Sequence, residues 1–388
     1  MQRWTSVYRA PAVFAAAAVL CSGAWMAVNV EGNYGGHISG LFYTGSKSAM
    51  PADLAGERTY RVKDDIGYDG QFYHLIAHDP LIRRGFASFV DNPPLRWRRI
   101  GVPGLAALLA AGNDRAVDAM YVSTQLVFVF LGAFWLAQYA QSRQRHAAWG
   151  LAFLLIPAVL VSLDRMTVDL ALAALTIGLV RYGTGRPRWP VYAILCAAPL
   201  VRETGLVLVV GWCLYAALER RWRAAMIGAG CAAPVLAWWT YVSRHTAPDG
   251  TRWLSRYPFS GIVDRTIHGV PAAVSTRGLH AASILEEVAL AGIWLALFLS
   301  LYLTWKRRCG LLEVVAVLFL AFAAALGKFD IWESAYAAGR TMSPLVIVLG
   351  LLALRDRRPG FAIPLLLILP RIALQYEAEL RGALRGWL

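Results

Sequence analysis

Residues 11–30, PAVFAAAAVLCSGAWMAVNV, and residues 120–139, MYVSTQLVFVFLGAFWLAQY, are two uncharged apolar blocks. At about 1.5 Å of rise per residue, a helix of this length crosses a hydrocarbon core of about 30 Å. Lipid offers no partner for backbone N–H and C=O groups, so such blocks must be helical. Similar blocks recur along the chain. Of its 388 residues 58% are hydrophobic and 16% charged, against about 45–50% and about 25% in an ordinary soluble domain.

The net charge of +14 gathers in short runs between the apolar blocks: Arg143/Arg145, Arg181/Arg186/Arg188, Arg220/Arg221/Arg223, Lys306/Arg307/Arg308 and Arg355/Arg357/Arg358. This is the pattern of cytoplasmic turns under the positive-inside rule, and it argues against nucleic-acid binding. Placing every run inside sets an alternating topology of about eleven crossings. They fall near 10–30, 118–139, 147–162, 167–182, 189–201, 205–218, 224–242, 282–305, 311–327, 341–354 and 361–373. The apolar stretch Ile100 to Gly112 is too short to span and is expected to lie on, or dip into, the outer interface.

The expected architecture is thus all-α, a single polytopic membrane domain over 1–388, with a long first outer loop, 31–117, carrying interfacial helices. Further outer loops are expected at 243–281 and 328–340. The first span is expected to remain uncleaved, and the protein to sit in the cytoplasmic membrane with its site facing the exterior. The five cysteines lie in or beside apolar blocks without metal-ligand spacing, so neither a disulfide nor a zinc site is expected from them.

The bookkeeping brings four polar stretches to the outer side: the first loop, Asp164-Arg165 with Asp169, Arg202-Glu203, and the outer loops that end near Arg340. Charges at membrane depth are costly and mark cavities or pathways. Asp169 falls four residues after Arg165 and is expected on the same helix face. A structural ion-pair network tying helices together is the plain alternative for Asp169 and Glu203.

The first outer loop concentrates carboxylates at Asp64, Asp65, Asp69, Asp79 and Asp91, with Tyr68, Phe72 and Tyr73 offering ring faces on which a sugar can stack. At its centre stands Gly67-Tyr68-Asp69-Gly70-Gln71-Phe72-Tyr73, where the Asp69 carboxylate is flanked by a glycine and so can approach a ligand. Alternatively Asp69 caps a helix beginning near Gln71. Arg96, Arg98 and Arg99 follow, and guanidinium forks suit a lipid-borne phosphate, although each can equally meet a headgroup. Arg202 and Arg340, at expected span ends, are the stronger phosphate candidates. His74 and His78 share a helix face, but the sequence offers no evident third ligand, so no metal site is expected from them. Asp64-Asp65 with Asp69 could hold Mg²⁺ or Mn²⁺, so a divalent metal is not excluded.

Tyr68-Asp69-Gly70-Gln71-Phe72-Tyr73 followed by Ile76-Ala77 and Asp79-Pro80, in the first outer loop of a many-span chain, resembles the GT-C superfamily of lipid-dependent glycosyltransferases. The likeness is to the bacterial cell-surface glycopolymer branch and, more distantly, to the GPI mannosyltransferases with their Trp-Asp-Gly type motif. Asp91-Asn92-Pro93 leading into Arg96–Arg99 and Pro103, Ser162-Leu163-Asp164-Arg165 with Asp169, and Val201-Arg202-Glu203-Thr204 extend it across about residues 10–210. Tyr68 stands where the mannosyltransferases more often have Trp, which leaves the sugar open.

The resemblance implies transfer of a sugar from a polyprenyl-phosphate donor to a glycan or lipid-linked acceptor on the outer face, with inversion and often without a metal. It implies Asp69 as general base, with a desolvated site raising its basicity. Substrate binding would fall to Asp64, Asp65, Tyr68, Gln71, Tyr73, Asp91, Arg96, Arg98, Arg99, Asp164, Arg165, Asp169, Arg202, Glu203 and Arg340, the arginines neutralising the departing phosphate. The rival reading is a transporter or flippase of lipid-linked saccharide, in which the same charges line a path.

Overall fold

Apolar periodicity without turn signals makes long helices, and in the computed structural model helix dominates. The structure describes residues 2–55, 59–184, 188–248, 250–251, 253–270, 280–306 and 309–387. Arg186, Arg307 and Arg308 of the basic runs lie outside them, as does part of the expected 243–281 loop. Among the described residues there is no strand, only isolated bridges of Gly45 with Val62 and of Leu254 with Leu326.

The helices are α1 (Gln2–Gly32), α2 (Ala52–Ala55), α3 (Asp69–His78), α4 (Pro93–Arg98), α5 (Gly101–Ala110), α6 (Asp114–Ser142), α7 (Pro157–Arg165), α8 (Asp169–Gly183) and α9 (Trp189–Val201). They continue with α10 (Gly205–Leu218), α11 (Trp222–Gly230), α12 (Ala233–His245), α13 (Ser260–His268), α14 (His280–Trp305), α15 (Leu311–Ala325), α16 (Ala335–Asp356) and α17 (Ile363–Trp387).

Among the described residues six helical segments are long and apolar enough to cross a membrane: Ala10–Gly32, Asp114–Ser142, Trp222–His245, Ala281–Trp305, Ala335–Asp356 and Pro359–Gly386. The chain is a multi-pass helical membrane protein. A bent pair, Ala147–Leu155 with Pro157–Arg165, makes up to 7 if it is one span, short of the eleven crossings expected. Its 60° bend falls at Ile156, extended ahead of Pro157, a residue that cannot continue a helix from the preceding turn. The remaining apolar segments, such as Trp189–Val201, Gly205–Leu218 and Leu311–Ala325, are helical but shorter.

Two boundaries move candidate site residues. Ser334 caps the N-terminus of α16 by accepting a hydrogen bond from Ala337 N, so this helix starts at Ala335 and Arg340 lies inside it, not in a 328–340 loop. Its apolar stretch is 78% buried, against 22–44% for the other long spans, which makes α16 the central helix of the bundle. Met166, in the left-handed region at φ 47°, ends α7, so Arg165 and Asp169 sit on two different helices and do not share one face.

Within the first long loop, α3, α4 and α5 form a short helical layer packed on α6, α9 and α12. At ten residues α5 is about 15 Å long, half a hydrocarbon core. Gly70 fixes how α3 meets the bundle: a Cβ there would run into the carbonyl oxygens of Arg165 and Phe42. We expect Gly70→Ala to lower the melting temperature of the detergent-solubilised protein, with an overpacking cost of about 1–3 kcal/mol. An unchanged melting temperature would show that the two backbones separate freely.

Candidate functional site

Asp69 opens α3 as its first helical residue, with Tyr68 at the N-cap, extended and making no side-chain cap bond. The carboxylate is therefore not capping the helix. Both of its oxygens carry a guanidinium instead: Arg96 Nη2 lies 2.8 Å from Oδ1 and Arg340 Nη2 lies 2.7 Å from Oδ2. Arg96 also donates through Nε and Nη2 to Asp91, at 2.9 and 2.8 Å.

From Arg340 the network continues into the bundle. Its Nε lies 3.5 Å from Asp169 Oδ2, and Asp169 Oδ1 receives Arg202, which donates its Nη2 to Thr341 Oγ1 at 3.0 Å. Beside it Arg99 holds Glu203 with both arms of its fork and donates Nη1 to the Tyr73 hydroxyl at 2.9 Å. Four arginines, Arg96, Arg99, Arg202 and Arg340, thus meet four carboxylates, Asp69, Asp91, Asp169 and Glu203. Full pairing is what makes such a buried cluster tolerable, since each unpaired ion would cost several kcal/mol. The arginines still hold unused donors: Arg340 Nη1 and Arg202 Nε are buried with no hydrogen-bond partner among the described residues.

Local geometry explains why these residues meet. A Cβ on Gly205 would overlap the Ala198 carbonyl, so α9 and α10 come together closely and the turn between them presents Arg202 and Glu203 side by side. Asn92 caps α4 by accepting from Leu95 N, which places Arg96 and Arg99 one turn apart.

The aromatic faces are already occupied. Arg340 stands over the Tyr68 ring at 5.4 Å, and Arg96 over Phe72 and Tyr73 at 4.9 and 5.8 Å. Tyr73 is fully buried. These rings hold guanidiniums in place, and the buried Tyr73 offers no open face to a sugar. Replacing Tyr73 by Phe is expected to cost about 1–3 kcal/mol of stability, because it strands the Arg99 donor; chemical or thermal unfolding measures it, and a neutral result would mean that water takes over the bond.

Asp69 also departs from the expected basicity. Burial raises its carboxyl, but the charges of Arg96 and Arg340 outweigh that and hold it well below the ordinary carboxylate range.

Other expected residues lie outside this network. Asp64 is exposed at a turn with φ 57°, while Asp65 accepts from the Gly67 amide at 2.8 Å and the Tyr43 hydroxyl at 3.4 Å. Gln71 ties the loop together, accepting from Gly45 N and donating to Ile66 O. Arg98 turns away to the Trp239 ring of α12, at 5.2 Å. Asp164 and Arg165 build a neighbouring cluster with Glu379, 2.7 Å from Arg165, and Tyr336, which donates to Asp164 at 2.8 Å. Its link to the first network is aromatic: the Tyr68 and Tyr336 rings meet edge to face at 6.3 Å. Glu379 was missed because the last apolar block ends near residue 373, whereas α17 runs on to Trp387.

The expectation that His74 and His78 lack a third partner is overturned. Asp118, on the first turns of α6, brings Oδ1 to 2.7 Å from His74 Nε2 and 3.9 Å from His78 Nε2. The chain matches no known protein family, no curated protein and no solved structure.

Proposed function

We propose that the chain is a membrane glycosyltransferase, of about eleven crossings, that moves a sugar from a polyprenyl-phosphate donor to a glycan or lipid-linked acceptor on the outer face. The observation that carries this reading is a carboxylate at the head of a loop helix, gripped on both oxygens by arginines from two distant parts of the chain. One of them, Arg340, lies on the central membrane helix with a donor to spare.

In the resting site Asp69 is a poor base, because two positive charges stabilise its anionic form. A phosphate arriving between the same arginines competes for them, since guanidiniums bind phosphate oxygens bidentately. As Arg340 and Arg96 turn toward the phosphate, Asp69 loses its counter-charges and its proton affinity rises. It then accepts the proton of the acceptor hydroxyl while that oxygen bonds to the anomeric carbon. The bond from the anomeric carbon to the phosphate oxygen breaks, and the electron pair leaves with polyprenyl phosphate, whose added charge the arginines neutralise. Attack opposite the leaving group inverts the anomeric centre. The donor thus switches on its own base.

This exchange has a pH signature. The acid limb of kcat/KM reports the free enzyme and that of kcat the loaded one. We expect the kcat limb at the higher pH, measured by initial rates over a pH series; coincident limbs would contradict the exchange of partners. For folding, a carboxyl whose pKa is depressed in the folded state stabilises fully above its unfolded value, about 3.9, and loses that contribution as pH falls through the folded value. Asp69 accordingly contributes no pH dependence to the melting temperature between about pH 5 and 8.

A further inference from the structure

Away from the arginine network, α3 and α6 meet through His74, His78 and Asp118. We infer that these three side chains bind one zinc ion, which clamps the helix carrying Asp69 to a membrane span. His74 and His78 stand one helical turn apart on one face, the spacing with which a helix offers two imidazoles to one metal. Their Nε2 atoms lie 3.2 Å apart, and Asp118 Oδ1 lies 2.7 and 3.9 Å from them. Ligands about 2.0–2.1 Å from a tetrahedral ion stand about 3.3–3.4 Å from one another, and the three separations straddle that value.

Proton accounting points the same way. His78 Nδ1 lies 3.0 Å from Asp114 Oδ1, and since a carboxylate only accepts, Nδ1 carries the hydrogen and a neutral His78 presents a lone pair at Nε2. Asp114 is itself held by Arg84 Nη1 at 2.8 and 2.9 Å. A carboxylate that fixes the far nitrogen of an imidazole is the usual outer partner of a metal-bound histidine. Asp118 Oδ1 is buried, with His74 Nε2 2.7 Å away. Two imidazole nitrogens and a carboxylate oxygen crowd together with at most one hydrogen among them in the neutral state, and a shared cation satisfies all three.

The donor set selects the ion. Imidazole and carboxylate suit zinc and its transition-metal neighbours, not magnesium or calcium. Stacking of Phe42 on the His74 ring at 4.4 Å fixes one ligand plane. A cavity of about 510 Å³ lined by His78, Asp114, Gly104 and Trp238 reaches one of the three ligands, His78, and the carboxylate that holds it. Because His74 and His78 occupy the second half of the helix that Asp69 begins, an ion there would hold the catalytic carboxylate in register with α6 and act by positioning alone.

The test is elemental analysis of the full-length protein purified in detergent with zinc and iron both supplied, and it does not depend on any transferase activity. We expect about one zinc per chain to survive gel filtration, and at least about a tenfold loss of it in His74→Ala and in the near-isosteric Asp118→Asn. Asp114→Asn keeps all three ligands and is expected to weaken zinc binding about 10–100-fold. Asp69→Asn, outside the cluster, is expected to keep its zinc. Cobalt substituted into the wild-type protein should give intense visible absorption bands of a tetrahedral ion, and these should vanish in Asp118→Asn. A metal-free wild-type protein, iron in place of zinc, or equal zinc in wild type and His74→Ala would overturn the inference.

Discussion

Asp69→Asn is expected to abolish sugar transfer, by about 10²–10⁴-fold, while leaving the protein inserted and able to bind donor. The amide is nearly the same size as the carboxylate but accepts no proton at any working pH. Its effect on stability should also be large. The substitution removes the anion shared by Arg96 and Arg340, and breaking a buried pair by removing one partner costs about 3–5 kcal/mol. Asp69→Asn combined with Arg340→Met leaves fewer uncompensated charges, so stability should partly return, while transfer stays absent because base and phosphate ligand are both missing. Transfer that returned together with stability would show that Asp69 acts only as a structural anion.

The second large effect concerns Arg340. Its guanidinium is the only link of the described structure that touches both Asp69 and Asp169. Arg340→Ala is expected to lower kcat by about 10²–10³, the usual cost of deleting one donor aimed at developing charge. Arg340→Lys should recover only part of this, since an ammonium keeps the charge but not the planar fork that reaches two anions at once. Initial rates with a saturating acceptor measure the loss. Because Asp69 and Arg340 touch, their substitutions should be strongly non-additive; simple additivity would mean that they do not act as a unit.

Much of the membrane character was legible in the sequence, because uncharged blocks such as 11–30 and 120–139 have one physical solution in lipid. The number of crossings was less so. Segments such as Trp189–Val201 and Gly205–Leu218 are apolar yet too short to be judged by length alone, and the Ala147–Arg165 stretch is broken at Pro157. The motif around Asp69 stood out through its polarity, and topology drew Arg202 and Arg340 toward the same side. What the residues face was not legible. Tyr68 and Tyr73 suggested sugar platforms, whereas they carry arginines, and Gln71, inside the motif, holds the loop.

The remaining misses have a common cause. Glu379, Tyr336, Thr341 and Asp118 come from helices remote in the chain from their partners, and no local pattern announces a contact set by helix packing. The histidine pair was visible at its i, i+4 spacing, but its third partner sits near the start of α6, where an aspartate is equally natural as a charge at a helix N-terminus. Three-dimensional convergence alone distinguishes the two.

The most direct measurement is release of polyprenyl phosphate in vesicles reconstituted with the purified protein, a panel of polyprenyl-phosphate-linked hexoses and pentoses, and a cell-envelope glycan acceptor. Wild-type protein is expected to release polyprenyl phosphate in step with sugar transferred to the acceptor, and Asp69→Asn to bind the same donor and release it about 10²–10⁴-fold more slowly. Release by Asp69→Asn at the wild-type rate, or movement of the intact donor between leaflets without release, would contradict the account.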